Sequence, residues 1–537
     1  MSRFKRVFAR AGAILAVVGA IATFLPAAPA SAGPQPAGLA TINGAGSTWV
    51  YIAINQWQAD VRRQGVPVNF TANGSTAGRV FYYQNQADFA ASEIPFQAAY
   101  RDSTGTVTTN EVAFAAHRPY AYLPDVAGGT SFMYHLDVNG QRLTNLRLSP
   151  TTLAKIFTGV IDNWNDPAIA ADNGGRQLPS LLIKPVIRSD GSGTTAQFTA
   201  YMANQTASIW QAFCDKVGIH LNPCPATSLY PPFDGSIAQQ LSDGVATFVA
   251  NPANNGAITY VEYGYAKAKG FPVASVLNKA GYYSQPTPSN VAIALTKATI
   301  NADRTQNLVG VYNNPDPRSY PVSSYSYLIV PTTTASPFST AKGETLGRFI
   351  LYAVCVGQTK AGELGYSPLP PNLVQYAFAA EKLIPGAPAP PPLDAAHCAN
   401  PWLTGDSPLA HAPPPPAGSK ASDPPVGAPP PQPGSGPSGS GGSGGGSGGN
   451  GLNGATNTTA PARSSGGGNG LTGGTTPAQQ IGVTRDVASG PIDLPGKHDP
   501  LPLALYVLAG AIVLLIVFAP PGVALAMRSR ERRRGAG

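Results

Sequence analysis

Apolar residues change period at several points along the chain, and each change marks a strand giving way to a helix. Leu181, Leu182, Ile183, Val186 and Ile187 form an apolar run suited to a buried strand, after which Phe198, Tyr201 and Met202 recur at helical spacing. Val66 to Phe70 predicts a second strand, running into Gly74-Ser-Thr-Ala-Gly78. A short strand-like start ahead of Gly44-Ala-Gly-Ser-Thr-Trp49 leads into the helical pattern Tyr51, Ile54, Trp57. Mixed runs of this kind continue from residue 41 to about 400 and predict an α/β domain. That length exceeds a usual single core, so two lobes are expected.

The two ends carry other patterns. Arg3, Lys5, Arg6 and Arg10 precede an apolar stretch from Ala11 to Leu25 and then Ala30-Ser31-Ala32, which reads as a secretory signal over 1–32. From Leu501 to Met527 the chain carries no charge and is rich in Leu, Ala, Val and Ile, long enough for a membrane span, and Arg528, Arg530, Arg532, Arg533 and Arg534 come directly after it. This combination predicts a single-pass helix at 501–527, a basic cytoplasmic tail at 528–537 and a body on the extracellular face. Between domain and span, residues 403–500 turn to Pro, Gly, Ser and Ala, with no charged side chain from 424 to 462. Such a segment has too little apolar surface to offset its ordering entropy and is expected to be a disordered linker reaching roughly 50 Å.

Charge changes the picture less than its total suggests. The formal net charge is +8, but the signal contributes four of those charges and the tail a net four more, so residues 33–527 are neutral. A broad footprint for nucleic acid is absent from that stretch. Four cysteines, Cys214, Cys224, Cys355 and Cys398, suit an oxidising exterior. Three pairings are open, and proximity along the chain favours Cys214 with Cys224 and Cys355 with Cys398. No CxxC or HExxH occurs, so neither a metal nor another cofactor is expected.

Candidate chemistry gathers at the strand-to-helix turns. Arg188-Ser-Asp-Gly-Ser-Gly-Thr-Thr195 combines hydroxyls, bare amides and a guanidinium at one such turn. Amides of a first helical turn lack internal partners and lie at the positive end of the helix dipole, so an anion is stabilised there. Helix capping alone would explain one turn of this composition. Three of them make an oxyanion site built from several helix starts the more economical reading.

At these residues the chain resembles the PstS-type phosphate-binding proteins of ABC transporters, over nearly all of residues 41–400. The matching segments are GAGSTW at 44–49, GSTAG at 74–78, ADFAASEIPF at 87–96, LSPTTLAKIFTGVIDNWNDPAI at 148–169, RSDGSGTT at 188–195 and GAITYVEYGYA at 256–266. YPVSSYSYLIV at 320–330 is similar to the return strand into the first lobe. The resemblance implies a two-lobed periplasmic-binding-protein type II clamp with a hinge, its first lobe formed by 33–124 with 319–402 and its second by 125–318. It implies inorganic phosphate or a related oxyanion as ligand and an ABC permease as partner. Contacts to phosphate are implied for Thr48, Trp49, Ser75, Arg188, Ser192, Gly193 and Thr194, with Asp190 holding Arg188 in place.

Glu93 departs from the family, which has a shorter Asp there. A carboxylate at this position accepts the proton of hydrogen phosphate and repels fully ionised sulfate. Glu93 reaches the same oxygen from a shifted backbone, contacts a different anion, or turns away to pair with a base such as Arg79. Two other functions compete with phosphate capture for transport. One is a membrane-tethered surface interaction protein that keeps the clamp without transport. The other, a phosphate-ester hydrolase, has little support, because the six histidines form no recognisable ligand set. The chain is therefore expected not to be an enzyme.

Overall fold

The computed structural model describes residues 38–99, 108–405 and 407–423. Its centre is an eight-stranded sheet built from β1 (Ile42–Gly46), β2 (Val68–Ala72), β3 (Phe89–Ser92), β4 (Tyr120–Tyr134), β5 (Lys184–Arg188), β6 (Ile237–Gln239), β7 (Ala257–Glu262) and β8 (Ser323–Pro331). The order across it is β2-β1-β3-β8-β4-β7-β5-β6. Each flank is parallel, β2-β1-β3 on one side and β7-β5-β6 on the other. The two flanks are joined by β4 and β8, which run antiparallel to each other.

The fifteen-residue β4 serves both halves of the sheet in turn. Its first part, from Tyr120 to Gly129, pairs with β8, and Thr130 to Tyr134 pair with β7. Nearly all of β4 and every residue of β8 is buried, which explains why they read as near-continuous apolar and small-residue runs. The pairing slips between Tyr325 and Tyr327, so that Asp125 and Val126 face the single residue Ser326. A bulge of this kind re-aims a side chain.

Four helices begin where strands end: α1 (Tyr51–Arg62) after β1, α2 (Ser75–Tyr83) after β2, α3 (Gly193–Gln205) after β5 and α4 (Leu241–Ala250) after β6. The helical spacings match burial, since Ile54, Trp57 and Val61 of α1 and Phe198, Tyr201 and Met202 of α3 are buried. The expected strand from Leu181 begins later, at Lys184. Leu182 is 65% exposed and takes part only in an isolated bridge to Asn163. Disulfides join Cys214 to Cys224 and Cys355 to Cys398.

The expected linker also starts later than its composition suggests. Trp402 Nε1 donates to the Pro368 carbonyl at 2.9 Å. Farther on, Tyr283 N–H donates to the Ser419 carbonyl at 2.7 Å and Ala421 N–H to the Gly281 carbonyl at 2.9 Å. Residues 407–423 thus lie along the folded body instead of leaving it. Proline fixes its own φ, so docking a run such as Pro413 to Pro416 loses less chain entropy than docking an ordinary segment. Residues 424–500, the signal at 1–32, the span at 501–527 and the tail at 528–537 lie outside the described residues. Among the described residues, no helix is long and apolar enough to cross a membrane.

The α2 helix packs on β1 at unusually close range. A Cβ placed on Gly78 would meet the Gly46 Cα at 2.3 Å, a backbone atom that cannot rotate aside. Gly78→Ala is therefore expected to lower stability by about 2 kcal/mol or more, as overpacking does, read from the urea midpoint. An unchanged midpoint would show that α2 is not seated this tightly.

Candidate functional site

The turns that start α1, α2 and α3 converge on the carboxylate of Glu93, which comes directly after β3 and is fully buried. Ser47 Oγ donates to its Oε1 at 2.5 Å, Ser326 Oγ to the same oxygen at 3.0 Å, and Ser75 Oγ to Oε2 at 2.7 Å. Two of these serines are polarised from behind. Trp49 N–H, at the entry to α1, donates to Ser47 Oγ at 2.9 Å, and Gly193 N–H, at the first position of α3, donates to Ser75 Oγ at 3.0 Å. Partial positive charge at two helix starts is thereby relayed through hydroxyls to one carboxylate. The main-chain carbonyl of Glu93 is fixed as well, by Gln197 Nε2 at 2.7 Å and Gln306 Nε2 at 2.9 Å.

Glycine at 193 is a steric necessity. A Cβ there would lie 1.9 Å from Glu93 Oε2 and 2.7 Å from Ser75 Oγ. The same turn joins the two flanks of the sheet, for Thr76 N–H donates to the Gly191 carbonyl at 3.1 Å.

A second polar group is built around Arg188. Arg188, 2% exposed at the end of β5, donates from Nε to Asp190 Oδ1 at 2.7 Å and forms a second bond from Nη2 to Oδ2, the planar pairing that a guanidinium and a carboxylate favour. Its Nη1 donates to Ser242 Oγ at 3.2 Å, and that hydroxyl meets Thr48 Oγ1 at 2.8 Å. Asp190 Oδ1 also accepts the N–H of Leu241 at 2.8 Å. Leu241 has φ +61°, a left-handed conformation costly for a large side chain, and this bond helps to hold it at the start of α4. Tyr265 Oη donates to the Thr48 carbonyl at 2.6 Å, a further tie between the flanks.

The structure brings most of the sequence candidates together and sends some elsewhere. Ser75, Glu93 and Gly193 meet directly, and Arg188, Asp190 and Thr48 form the second group. Thr194 Oγ1 is buried beside them with no hydrogen-bond partner among the described residues. Trp49 supplies an amide already given to Ser47, while its ring packs edge-on to Tyr366 with centroids 5.6 Å apart. Ser192 spends its hydroxyl on capping α3, accepting from Thr195 N–H at 3.2 Å. Glu93 does not pair with Arg79, which is held by Glu111 at 2.7 Å.

Nothing in the sequence singles out Ser47, Ser326, Ser242 or Asp125. Ser47 and Ser326 sit inside the matched segments, but only the packing of β1 and β8 against β3 reveals that they face Glu93. Ser242 belongs to a fourth strand-to-helix turn, concealed by the large Leu241 in place of a glycine.

Burial raises the pKa of Glu93 from its ordinary value, and the three serine hydroxyls oppose that effect. Asp125, at the bulge, is pushed up further by burial and partly by the charge of Glu93. Ser326 lies against both carboxyls. Asp125 Oδ1 accepts the Val126 N–H at 2.6 Å, while its Oδ2 is buried with no hydrogen-bond partner among the described residues. Glu262, at the end of β7, is also raised well above its usual value by burial.

A PBP superfamily domain model matches residues 31–355. Phosphate-binding protein PstS of Xylella fastidiosa is 31% identical over 335 residues, 62% of this chain and 83% of that protein. Phosphate-binding protein PstS 3 of Mycobacterium tuberculosis is 31% identical over 353 residues, 64% of this chain and 86% of that one. A solved high affinity periplasmic phosphate-binding protein bound with phosphate at pH 8.5 is 19% identical, with a TM-score of 0.48, over 63% of this chain and 93% of its own.

Raised carboxyl pKa values make stability depend on pH with a definite sign. The folded chain keeps protons on Glu93, Asp125 and Glu262 to higher pH than the unfolded chain does. Their contribution is complete below the ordinary values of 4.5 for Glu and 3.8 for Asp and is lost as pH rises through the raised ones. The urea midpoint is expected to fall as pH rises above those ordinary values, and Asp125→Asn to flatten that fall. An equal slope in parent and variant would place the titrating group elsewhere. The domain match, the extent of both relatives covered and the converging turns together assign the chain to the PstS-type phosphate-binding proteins of the PBP superfamily.

Proposed function

We propose that this protein captures inorganic phosphate between the two halves of its sheet and delivers it to the permease of an ABC transporter. The observation that carries this reading is the convergence of helix starts from both flanks on one buried group of hydroxyls, amides and a guanidinium. Thr48 and Ser75 from one flank and Arg188, Gly193 and Thr194 from the other are the ligand set, with the Ser75 hydroxyl and the Gly193 N–H exchanging their present bonds to Glu93 and Ser75 for the ligand. In this reading the halves rotate about β4 and β8, and closure excludes water from the contacts. Several hydrogen bonds to a charged ligand, each worth about 1.5–3 kcal/mol net, suffice for binding at about micromolar concentration, roughly 8 kcal/mol, after association costs.

Glu93 acts as the discriminating group. Its carboxylate and a bound hydrogen phosphate share one proton across a short contact, whereas sulfate has no proton to share. The reading also includes export by the signal at 1–32 and attachment to the outer face of the membrane by 501–527.

Arg188→Ala is expected to weaken phosphate binding at least tenfold by calorimetry on the purified full-length chain, more than Ser75→Ala does. Unchanged affinity in the arginine variant would rule out this cradle. Failure of the parent to bind any inorganic oxyanion would sink the transport reading itself.

A further inference from the structure

Among the described residues, two buried polar groups outside the cradle are left short of the partners their chemistry favours, and both line one cavity. It has a volume of about 320 Å³ and lies between Pro413 to Ser419 and a small three-stranded sheet formed by residues 147–148, 275–277 and 283–284. Arg147 lines it and is only 5% exposed. Its guanidinium donates from Nη1 to the Asp423 carbonyl at 2.8 Å and lies 5.1 Å from the Tyr283 ring centroid. Among the described residues it forms no ion pair with a carboxylate, and the Asp423 carboxylate acts on it only through space. The second group is Ser419, 8% exposed, whose Oγ is buried without a hydrogen-bond partner among the described residues.

A guanidinium taken out of water is stabilised when a counter-charge accepts its remaining hydrogens, and a single carbonyl does this poorly. The other cation at the cavity wall, Arg318, is already neutralised, with Nε and Nη2 on Asp316 at 3.0 and 2.8 Å. Arg147 is thus the cation left for a guest. The rest of the lining suits an uncharged body: the Pro413 to Pro416 run, the Tyr283 ring and the hydroxyl of Thr144. A volume near 300 Å³ lies at the small end of ligand pockets.

We propose that this cavity is a second binding site, separate from the phosphate cradle, for a small organic anion whose carboxylate or phosphate group pairs with Arg147 and Ser419. Its body lies against the proline run and Tyr283. A guest held there is clasped between residues 413–419 and the small sheet, so its binding fastens the segment from which the remainder of the chain departs.

The test uses the purified full-length chain carrying Arg188→Ala, titrated by calorimetry with gluconate for the carboxylate arm and glycerol 1-phosphate for the phosphate arm. At least one probe is expected to bind with Kd below about 10 mM. Arg147→Gln, which keeps an amide to donate to the Asp423 carbonyl, is expected to weaken that binding at least tenfold, and Ser419→Ala two- to fivefold. The same titrations in the parent saturated with inorganic phosphate give a reading that does not depend on how the Arg188 variant folds. Phosphate affinity at the cradle is expected to be unchanged in Arg147→Gln, which separates the two sites. Absence of binding by both probes, or equal binding by parent and Arg147→Gln, overturns the proposal.

Discussion

A carboxylate shut away from water must find hydrogen-bond donors, and in this protein that requirement falls on Glu93. Its donors are Ser47 from the end of β1, Ser75 from the start of α2 and Ser326 of β8, opposite the bulge in β4. None is adjacent to Glu93 in sequence, so satisfying one side chain fixes the relative placement of three elements. The first turn of α3 joins them from the opposite flank through Gly193 N–H. Any side chain at 193 would drive into the carboxylate, so the glycine is as much a part of this arrangement as the serines.

The guanidinium obeys the same logic with the opposite charge. Arg188 is buried, with Asp190 on one edge and Ser242 on the other, and one N–H on each terminal nitrogen is left over. Asp190 in turn holds Leu241 in a strained turn, and Thr48 bridges from the first flank to Ser242. An acid and a base are therefore both kept ready in a dry seam, each with donors or acceptors already oriented. Preorganisation of this kind is what the proposed capture of a small oxyanion calls for, since its contacts need not be gathered one by one.

Much of this is legible in the chain because strand-to-helix turns leave a local signature. Glycines, hydroxyl residues and a change from continuous to helical apolar spacing mark the starts of α1, α2 and α3, and that signature points to Ser75, Arg188, Asp190 and Gly193. The parts that escape depend on contacts distant in sequence. Ser326 meets Glu93 only because β8 pairs with β3 and lies opposite the bulge of β4 at Asp125, and Ser242 meets Thr48 across 194 positions. Trp49 takes part through its backbone N–H, while its ring is taken up by the core against Tyr366. Composition also misleads at residues 407–423, where prolines that suggest a free linker lie along the small sheet, tied by Ser419 and Ala421.

The ratio of phosphate to sulfate affinity, measured by calorimetry on the full-length chain at about pH 8 and about pH 5, tests most directly whether Glu93 governs the cradle. Burial raises the Glu93 pKa and three serine hydroxyls oppose that rise, so protonation at lower pH removes the charge that, on the proposed reading, turns sulfate away. Phosphate should be preferred more at the higher pH than at the lower, and Glu93→Gln should reduce that difference. A ratio that is the same at both pH values, or that varies identically in the Gln variant, would contradict the central role given to this carboxylate.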